Sequence, residues 1–260
     1  METLIVERAG GVVTVTMNRP ERKNAANGVM LHELQTIFGE VERSPADRVM
    51  ILTGAGGAFC TGADLTDRSS PPTGADLSAL ARMRRLGDVA LMLHRVTKPT
   101  IAKVDGHAVG AGLSLALGCD LVVCTERAKL SAIFSRRGLS LDMGASWLLP
   151  RIVGLARAKE IALFGDVWTA GEALAIGLVN RVVPPAEIDA FVDGWARTLA
   201  DGPPLALSLN KTLLNDSAHA SMEQALENEA RCQAINSSSE DTREGLAAFA
   251  EKRKPTYIGR

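Results

Sequence analysis

The chain has 260 residues, 46% of them hydrophobic, enough to bury a large core within one α/β domain or a main domain with a small appendage. Lys and Arg number 29 against 30 Asp and Glu, a formal net charge of −1, so nothing in the composition points to nucleic acid or an anionic membrane as partner. Aromatic residues are only 4% against 24 glycines, so packing relies on Ala, Val and Leu and on close backbone approach.

Residues 3–7 and 12–17 alternate with period two on either side of Ala9-Gly10-Gly11, which predicts a β-hairpin. Asn18-Arg19-Pro20 ends the second strand. Asn24 or Asn27 is placed to cap a helix whose Met30, Leu31, Leu34, Ile37 and Phe38 form one apolar stripe. A strand over 49–53 then runs into Gly54-Ala55-Gly56-Gly57, and a strand feeding a glycine-rich loop is where layered α/β proteins tend to place their sites. The polar, Pro-rich stretch 66–78 predicts a mobile loop able to order over a ligand, ahead of a helix from 77 to about 93. Residues 99–104 read as a strand, 106–112 as its loop and 113–117 as a helix, so the strand-loop-helix unit occurs twice. Short apolar runs come next at 121–124 and 130–134. From residue 156 the chain is expected to be mostly helical, punctuated by Pro184-Pro185 and Gly202-Pro203-Pro204. A boundary near 195–205 divides a strand-rich core, 1–198, from a helical region, 199–260.

The cysteines, Cys60, Cys119, Cys124 and Cys232, show no C-x-x-C spacing and no histidine at zinc-finger distance, which argues against a metal or disulfide framework. No window reaches the roughly 18 uninterrupted apolar residues of a membrane span, and the first residues alternate like a strand rather than a signal peptide. The expected location is the cytoplasm.

The two glycine-rich loops share a physical logic. Glycine permits the tight turn, and the first amides of a following helix have no intrahelical acceptor, which makes them anion donors. In Ala58-Phe59-Cys60-Thr61-Gly62-Ala63-Asp64-Leu65 the candidate is the amide of Cys60, and in Gly110-Ala111-Gly112 that of Ala111. Two such amides converging on one oxygen form an oxyanion hole, in which losing one donor costs about 3–4 kcal/mol of transition-state stabilisation. On periodicity alone, glycines needed only for packing explain either loop equally well.

Those loops do not stand alone. Asn18-Arg19-Pro20 with Asn24-Ala25, Ala58 to Asp64, Asp105 to Gly112, Gly118-Cys119-Asp120, Leu148-Leu149-Pro150-Arg151, Ala173 to Asn180, and Glu244-Gly245 with Ala248 to Arg253 succeed one another along nearly the whole chain. In content and order they resemble the crotonase (enoyl-CoA hydratase/isomerase) superfamily. The resemblance implies an α/β fold built as a crotonase-like spiral of ββα repeats, with a helical C-terminal region that builds a homotrimer or a hexamer as a dimer of trimers. It also implies an acyl-CoA thioester as substrate, with coenzyme A as part of that substrate and no separate cofactor or metal. The oxyanion amides carry over to Cys60 and Ala111, with Ala58, Gly62 and Gly110 beside them in the site. Arg22 and Lys23 are implied contacts to coenzyme A, as are Phe249 and Lys252 reaching from a neighbouring subunit; a solvated surface charge is the competing reading of each basic residue.

Hydration of a conjugated double bond is easiest when two carboxylates hold one water. The family's hydratases place one glutamate three positions after the second donor and another in the following segment; those positions here are Ser114 and Phe134. Neither is a carboxylate, and Ser114 reads as a small structural helix residue. One acid remains nearby, Asp142 in Gly138-Leu139-Ser140-Leu141-Asp142-Met143-Gly144, which resembles the segment supplying a catalytic aspartate in isomerases and a dehalogenase of the family. Leu141 and Met143 would desolvate it and raise its pKa toward that of a working base. The competing role is a cap for the helix starting near Ala145.

A single base beside an oxyanion hole suits double-bond migration through a dienolate. An enoyl-CoA isomerase with Asp142 as acid and base is therefore the favoured activity. Hydration by a modified route, nucleophilic attack by Asp142 as in a dehalogenase or hydrolase, and acyl-CoA binding without catalysis remain alternatives. His107 is expected to line the acyl channel, Trp147 and Met143 to form its wall or part of the core, Asp64 to bind backbone amides rather than substrate, and the Cys60 thiol to be inert.

Overall fold

The computed structural model describes residues 1–66 and 78–260. The loop expected over 66–78, apart from its two end residues, and the helix start expected at Leu77 lie outside the described residues.

The predicted hairpin is present as β1 (Leu4–Ala9) and β2 (Val12–Met17), antiparallel with Ala9 opposite Val12. Of the two candidate caps, Asn27 starts α1 (Gly28–Arg43), its side chain accepting the Met30 amide at 2.9 Å. Met30, Leu34, Ile37, Phe38 and Val41 are buried along one face of that helix. Then come β3 (Val49–Gly54), α2 (Ala79–Arg95), which is capped by the Ser78 hydroxyl, and β4 (Thr100–Val104). Residues 106–112, expected to be loop throughout, contain β5 (His107–Val109) and the first turn of α3 (Ala111–Gly118). Three residues are too few to show an alternating pattern, and these become a strand by pairing with distant chain. Next are β6 (Leu121–Thr125) and β7 (Lys129–Ser131); the apolar run expected to continue to 134 turns instead into a 3-10 segment, Ile133–Arg137.

The region from residue 156 is helical but interrupted by two short strands. It comprises α4 (Ala145–Phe164), broken at Gly154, then β8 (Trp168–Thr169), α5 (Ala170–Ala175), β9 (Arg181–Val183), α6 (Ile188–Ala200), α7 (Pro204–Ser217), α8 (Met222–Ser238) and α9 (Glu240–Glu251).

Six strands form one sheet in the order β1-β2-β3-β4-β6-β9, parallel except for the first pair, and β5-β7-β8 form a second. The chain visits them in rotation. β4 in the large sheet is followed by β5 in the small one and by α3; β6, β7 and α4 repeat the pattern. The segment after β3 makes a bridge from Cys60 to Ala108 of β5 before α2, so it belongs to the same series. This is the expected spiral of ββα turns with a helical C-terminal region.

Strand alternation divides the large sheet between two cores. Met50, Leu52, Ala102 and Val104 face a cluster shared with α1 to α4, while Val49, Ile51, Ile101 and Val123 face Ile188, Val192, Ala196 and Ala200 of α6. Among the described residues, no helix is long and apolar enough to cross a membrane.

Candidate active site

The turn after β3 is held by Asn24. Its side-chain amide donates to the carbonyls of Ala58 (2.7 Å) and Ala55 (2.8 Å), and its Oδ1 accepts the Arg19 amide at 2.9 Å. The chain then runs extended between two neighbours. On one side Cys60 donates to the His107 carbonyl and accepts from the Val109 amide, both at 2.9 Å; on the other, Ala26 donates to the Gly62 carbonyl at 2.7 Å and accepts from the Asp64 amide at 2.9 Å.

This pairing corrects the expectation for Cys60. Its amide is consumed by His107, and the chain beyond it is extended instead of forming the first turn of a helix, so the amide is not available to a ligand. Among the described residues the amide of Ala63 finds no acceptor, and Ala63 is exposed. The residue before it, Gly62, has φ +97, and a Cβ built there would lie 3.5 Å from the Ala111 nitrogen and 3.0 Å from the Val109 carbonyl oxygen. Glycine is thus required where the two loops meet. Burial pushes the Cys60 thiol up to about 11, which keeps it protonated and unreactive at neutral pH.

In the second loop the amide expected as donor, that of Ala111, is free. Gly110, at φ 57, precedes α3, its amide donating to the Ser131 carbonyl at 2.8 Å, and Ala111 opens the helix with an amide that has no acceptor among the described residues. Gly112 packs its backbone directly on Cys60. The free amides of Ala63 and Ala111 therefore sit on adjoining segments that the Cys60–Ala108 bridge locks together. His107 of β5 contributes its carbonyl to that lock.

Asp142 does not cap α4, which begins after Gly144 with no side-chain cap. Its Oδ1 is buried and is an unsatisfied side-chain atom among the described residues, and burial raises its carboxyl to about 6. The next residue, Met143, is buried with φ 46, a left-handed conformation unusual for a non-glycine residue. Ser114 on α3 reaches this segment: its hydroxyl lies 3.1 Å from the Asp142 carbonyl oxygen. Phe134 is buried against the same corner, its ring 3.9 Å from where a Gly110 Cβ would stand. A hydroxyl and a phenyl ring thus stand at the two positions that the resemblance matches to the hydratase glutamates.

Of the residues implied to meet coenzyme A, Arg22 and Lys23 are exposed beside the first loop, and the Lys23 carbonyl accepts the Thr61 amide at 3.3 Å. Asp64 is held internally, pairing with Arg19 at 3.0 Å and accepting the Thr66 amide at 3.1 Å; the Thr66 hydrogen bonds and Arg19 lower its pKa. The carboxylate thus accepts one backbone amide and one guanidinium from its own surroundings. Phe249 and Lys252 lie on and just after α9, with Phe249 85% exposed.

A cavity of about 950 Å³ lies between α2, α3, the start of α4 and α7. Ser114 and Met143 are among its lining residues. Trp147 stands across it with the Arg151 guanidinium 4.0 Å from its ring centroid, His94 edge-on at 5.0 Å and its indole N–H donating to His219 Nε2 at 3.3 Å.

This geometry has close relatives. A family model described as enoyl-CoA hydratase/isomerase matches residues 7–260. The chain belongs to the enoyl-CoA hydratase/isomerase family. It is 38% identical to the 1,2-epoxyphenylacetyl-CoA isomerase of Escherichia coli over the full length of both chains. It is 33% identical to the short-chain-enoyl-CoA hydratase of Clostridium acetobutylicum, over 98% of this chain and 97% of that one. The crystal structure of an enoyl-CoA hydratase from Bacillus anthracis superposes with a TM-score of 0.92 at 31% identity, covering 99% of this chain and all of that one. The enoyl-CoA hydratase/isomerase fold and an acyl-CoA enzyme are thereby established, and the relatives carry both isomerase and hydratase names.

The first glycine-rich loop leaves free a different amide from the expected one, that of Ala63 in place of Cys60. The signal that separates Ala63 from Cys60 is the pairing of Cys60 with Ala108 and of Ala63 with Ala26, contacts 48 and 37 positions apart that no local pattern encodes.

Proposed function

We propose that this enzyme moves a carbon–carbon double bond in an enoyl-CoA thioester, with Asp142 as both base and acid. The observation that carries the reading is the half-buried carboxyl of Asp142, whose buried Oδ1 has no hydrogen-bond partner among the described residues and whose main chain is tied through Ser114 to the helix that opens with a free amide. The thioester oxygen accepts from the Ala63 and Ala111 amides. Asp142 removes a proton from C2 of a 3-enoyl-CoA; the C–H electron pair forms the C1=C2 bond of a dienolate, with C3=C4 still in place, as the carbonyl π pair moves onto the thioester oxygen. The same carboxyl then returns the proton to C4 as the carbonyl re-forms, leaving the 2-enoyl-CoA. No second acid is needed, in keeping with Ser114 and Phe134 where hydratases carry glutamates. The isomerase relative supports this choice.

The hydratase relatives favour a second reading, addition of water by Asp142 alone. Under either reading the acyl group extends toward the cavity beyond Met143 and Trp147, with Arg22 and Lys23 near the phosphates of coenzyme A. The enzyme acts in the cytoplasm as a homotrimer or hexamer in which a neighbour's Phe249 and Lys252 complete the coenzyme site; the exposure of Phe249 supports that arrangement. Incubation with 3-enoyl-CoA and, separately, 2-enoyl-CoA, with the absorbance of the conjugated thioester as readout, tests the reading. Formation of 2-enoyl-CoA that disappears in Asp142→Asn is the expected result. Hydration of 2-enoyl-CoA without isomerisation of 3-enoyl-CoA favours the second reading, and inertness toward both excludes the two.

A further inference from the structure

The main chain around the proposed base is sparsely held. Leu139 donates to the Phe134 carbonyl at 3.0 Å, and Asp142 itself accepts the Ala145 amide at 3.0 Å from its own following turn. Between them, across residues 140–143, the Ser114 hydroxyl is the one hydrogen bond that arrives from another element among the described residues. The carboxyl is not oriented by a hydrogen bond at Oδ1. Its place is therefore set by its backbone, and the residue after it, Met143, is in a strained left-handed conformation that must be held by its surroundings.

Ser114 is buried, 2% exposed, in the first turns of α3. Its hydroxyl has two acceptors in reach, the Asp142 carbonyl at 3.1 Å and the Gly110 carbonyl at 3.3 Å. Gly110 already receives the Ser114 amide at 3.1 Å. The ordinary back-bond of a helical serine to the fourth residue before it is thus both the longer contact and the less needed one. The single hydroxyl proton is better used on Asp142, and that bond joins the segment of the acid to the helix whose first amide is the Ala111 donor.

We propose that Ser114 is a positioning residue: its hydroxyl ties the Asp142 backbone to α3 and so fixes the spacing between the proton-transfer carboxyl and the oxyanion donor. The inference rests on Asp142 being the base. A group displaced by about 1 Å from its productive geometry loses up to roughly 100-fold in rate, so a single backbone tether is enough to matter.

The test is a double-mutant cycle on the intact enzyme. Ser114→Ala removes the hydroxyl in a helix where alanine is favoured, and leaves the Asp142 carbonyl its bond from Ala145, so the variant folds. In the wild-type background it lowers kcat for isomerisation roughly 10–100-fold with KM within about twofold. In the Asp142→Asn background it causes no further loss of the residual rate, because Ser114 acts through the carboxyl. Ser114→Thr, which keeps the hydroxyl, recovers part of the kcat. An unchanged kcat in Ser114→Ala, or an equal loss in both backgrounds, overturns the proposal while leaving the isomerase reading intact.

If the wild-type enzyme isomerises nothing, the reading of Asp142 as base fails separately. The tether is then judged by carboxyl ¹³C NMR of the ligand-free protein. Loosening the segment admits water, and the Asp142 titration midpoint moves down in Ser114→Ala; an unchanged midpoint overturns the tether.

Discussion

The Cys60 amide and the His107 carbonyl meet at 2.9 Å, so the conspicuous cysteine of the first loop is a structural joint between the two loops. Its buried side chain is not needed for that joint. Cys60→Ala should keep kcat/KM for the enoyl-CoA reaction within about twofold, since the backbone bonds of Cys60 survive and only the weak sulfur hydrogen bonds with Gly62 are lost. Ala63→Pro removes the amide hydrogen that we assign to the thioester oxygen and should lower kcat roughly 10²–10³-fold, whereas Ala63→Gly keeps it. Steady-state kinetics on the three variants decides: an unchanged kcat in Ala63→Pro would remove the Ala63 amide as donor, and a severe loss in Cys60→Ala would give the thiol a role of its own.

Asp142 links activity and stability to pH in opposite directions. Burial raises its carboxyl to about 6 in the folded protein, against an ordinary value near 3.8. A protonated carboxyl cannot act as base, so kcat/KM should fall on the acid side of about pH 6. Between about pH 4 and 6 the folded state holds a proton that the unfolded chain has released, so this group removes stability as pH rises through that window and the loss is constant above it. Asp142→Asn therefore should abolish isomerisation, by roughly 10²–10⁴-fold, yet raise Tm at pH 8. Calorimetry at pH 8 and pH 4 checks the sign: the advantage of the variant narrows at the lower pH. A variant less stable than wild type at pH 8 would mean that the carboxylate has a partner.

The fate of individual residues shows what the sequence could carry. Asp142 was legible because the segment around it, with Leu141 and Met143 on either side, is a local pattern that resembles the family's. Asn27 was legible as a cap for the same reason. Ala63 was not, because which amide of a loop stays free depends on the register in which distant segments pair. β9 escaped notice because three residues beside Pro184-Pro185 show no alternation and become a strand only against β6. Ser114 read as a small helix residue, which it is; its reach to Asp142 is fixed by how α3 and the start of α4 pack.

Asn24 is the residue on which the first loop turns. It is fully buried with φ 56, and its one side chain serves Arg19, Ala55 and Ala58. Asn24→Ala leaves two carbonyls and an amide without that partner and places alanine in a left-handed conformation, together costing about 3 kcal/mol. For a chain of this size that lowers Tm by roughly 6–12 °C. Asn24→Gly loses the same hydrogen bonds without the backbone strain and should fall less far. Thermal unfolding of the pair separates the two contributions, and equal Tm values for both variants would remove strain from the account.

Two glycines on α3 should respond differently to the same methyl group. A Cβ on Gly112 would lie 2.1 Å from the Cys60 carbonyl oxygen and 2.7 Å from its carbonyl carbon, both backbone atoms of the joint between the loops. That carbonyl also accepts the Val109 amide, so relief of the clash must part the first loop from β5 and carry Ala63 away from Ala111. A Cβ on Gly118, at the other end of the helix, meets only the Leu93 side chain at 3.1 Å, which can turn aside. Gly112→Ala is expected to cost about 1–3 kcal/mol of stability and to lower kcat at least tenfold, because it separates the donors as well as straining the core. Gly118→Ala should change stability by less than about 1 kcal/mol and leave kcat unaltered, the helix propensity of alanine offsetting part of the contact. Denaturant unfolding and steady-state kinetics on both variants give the comparison, and a Gly112→Ala enzyme with wild-type kcat would show that the two free amides do not act as one site.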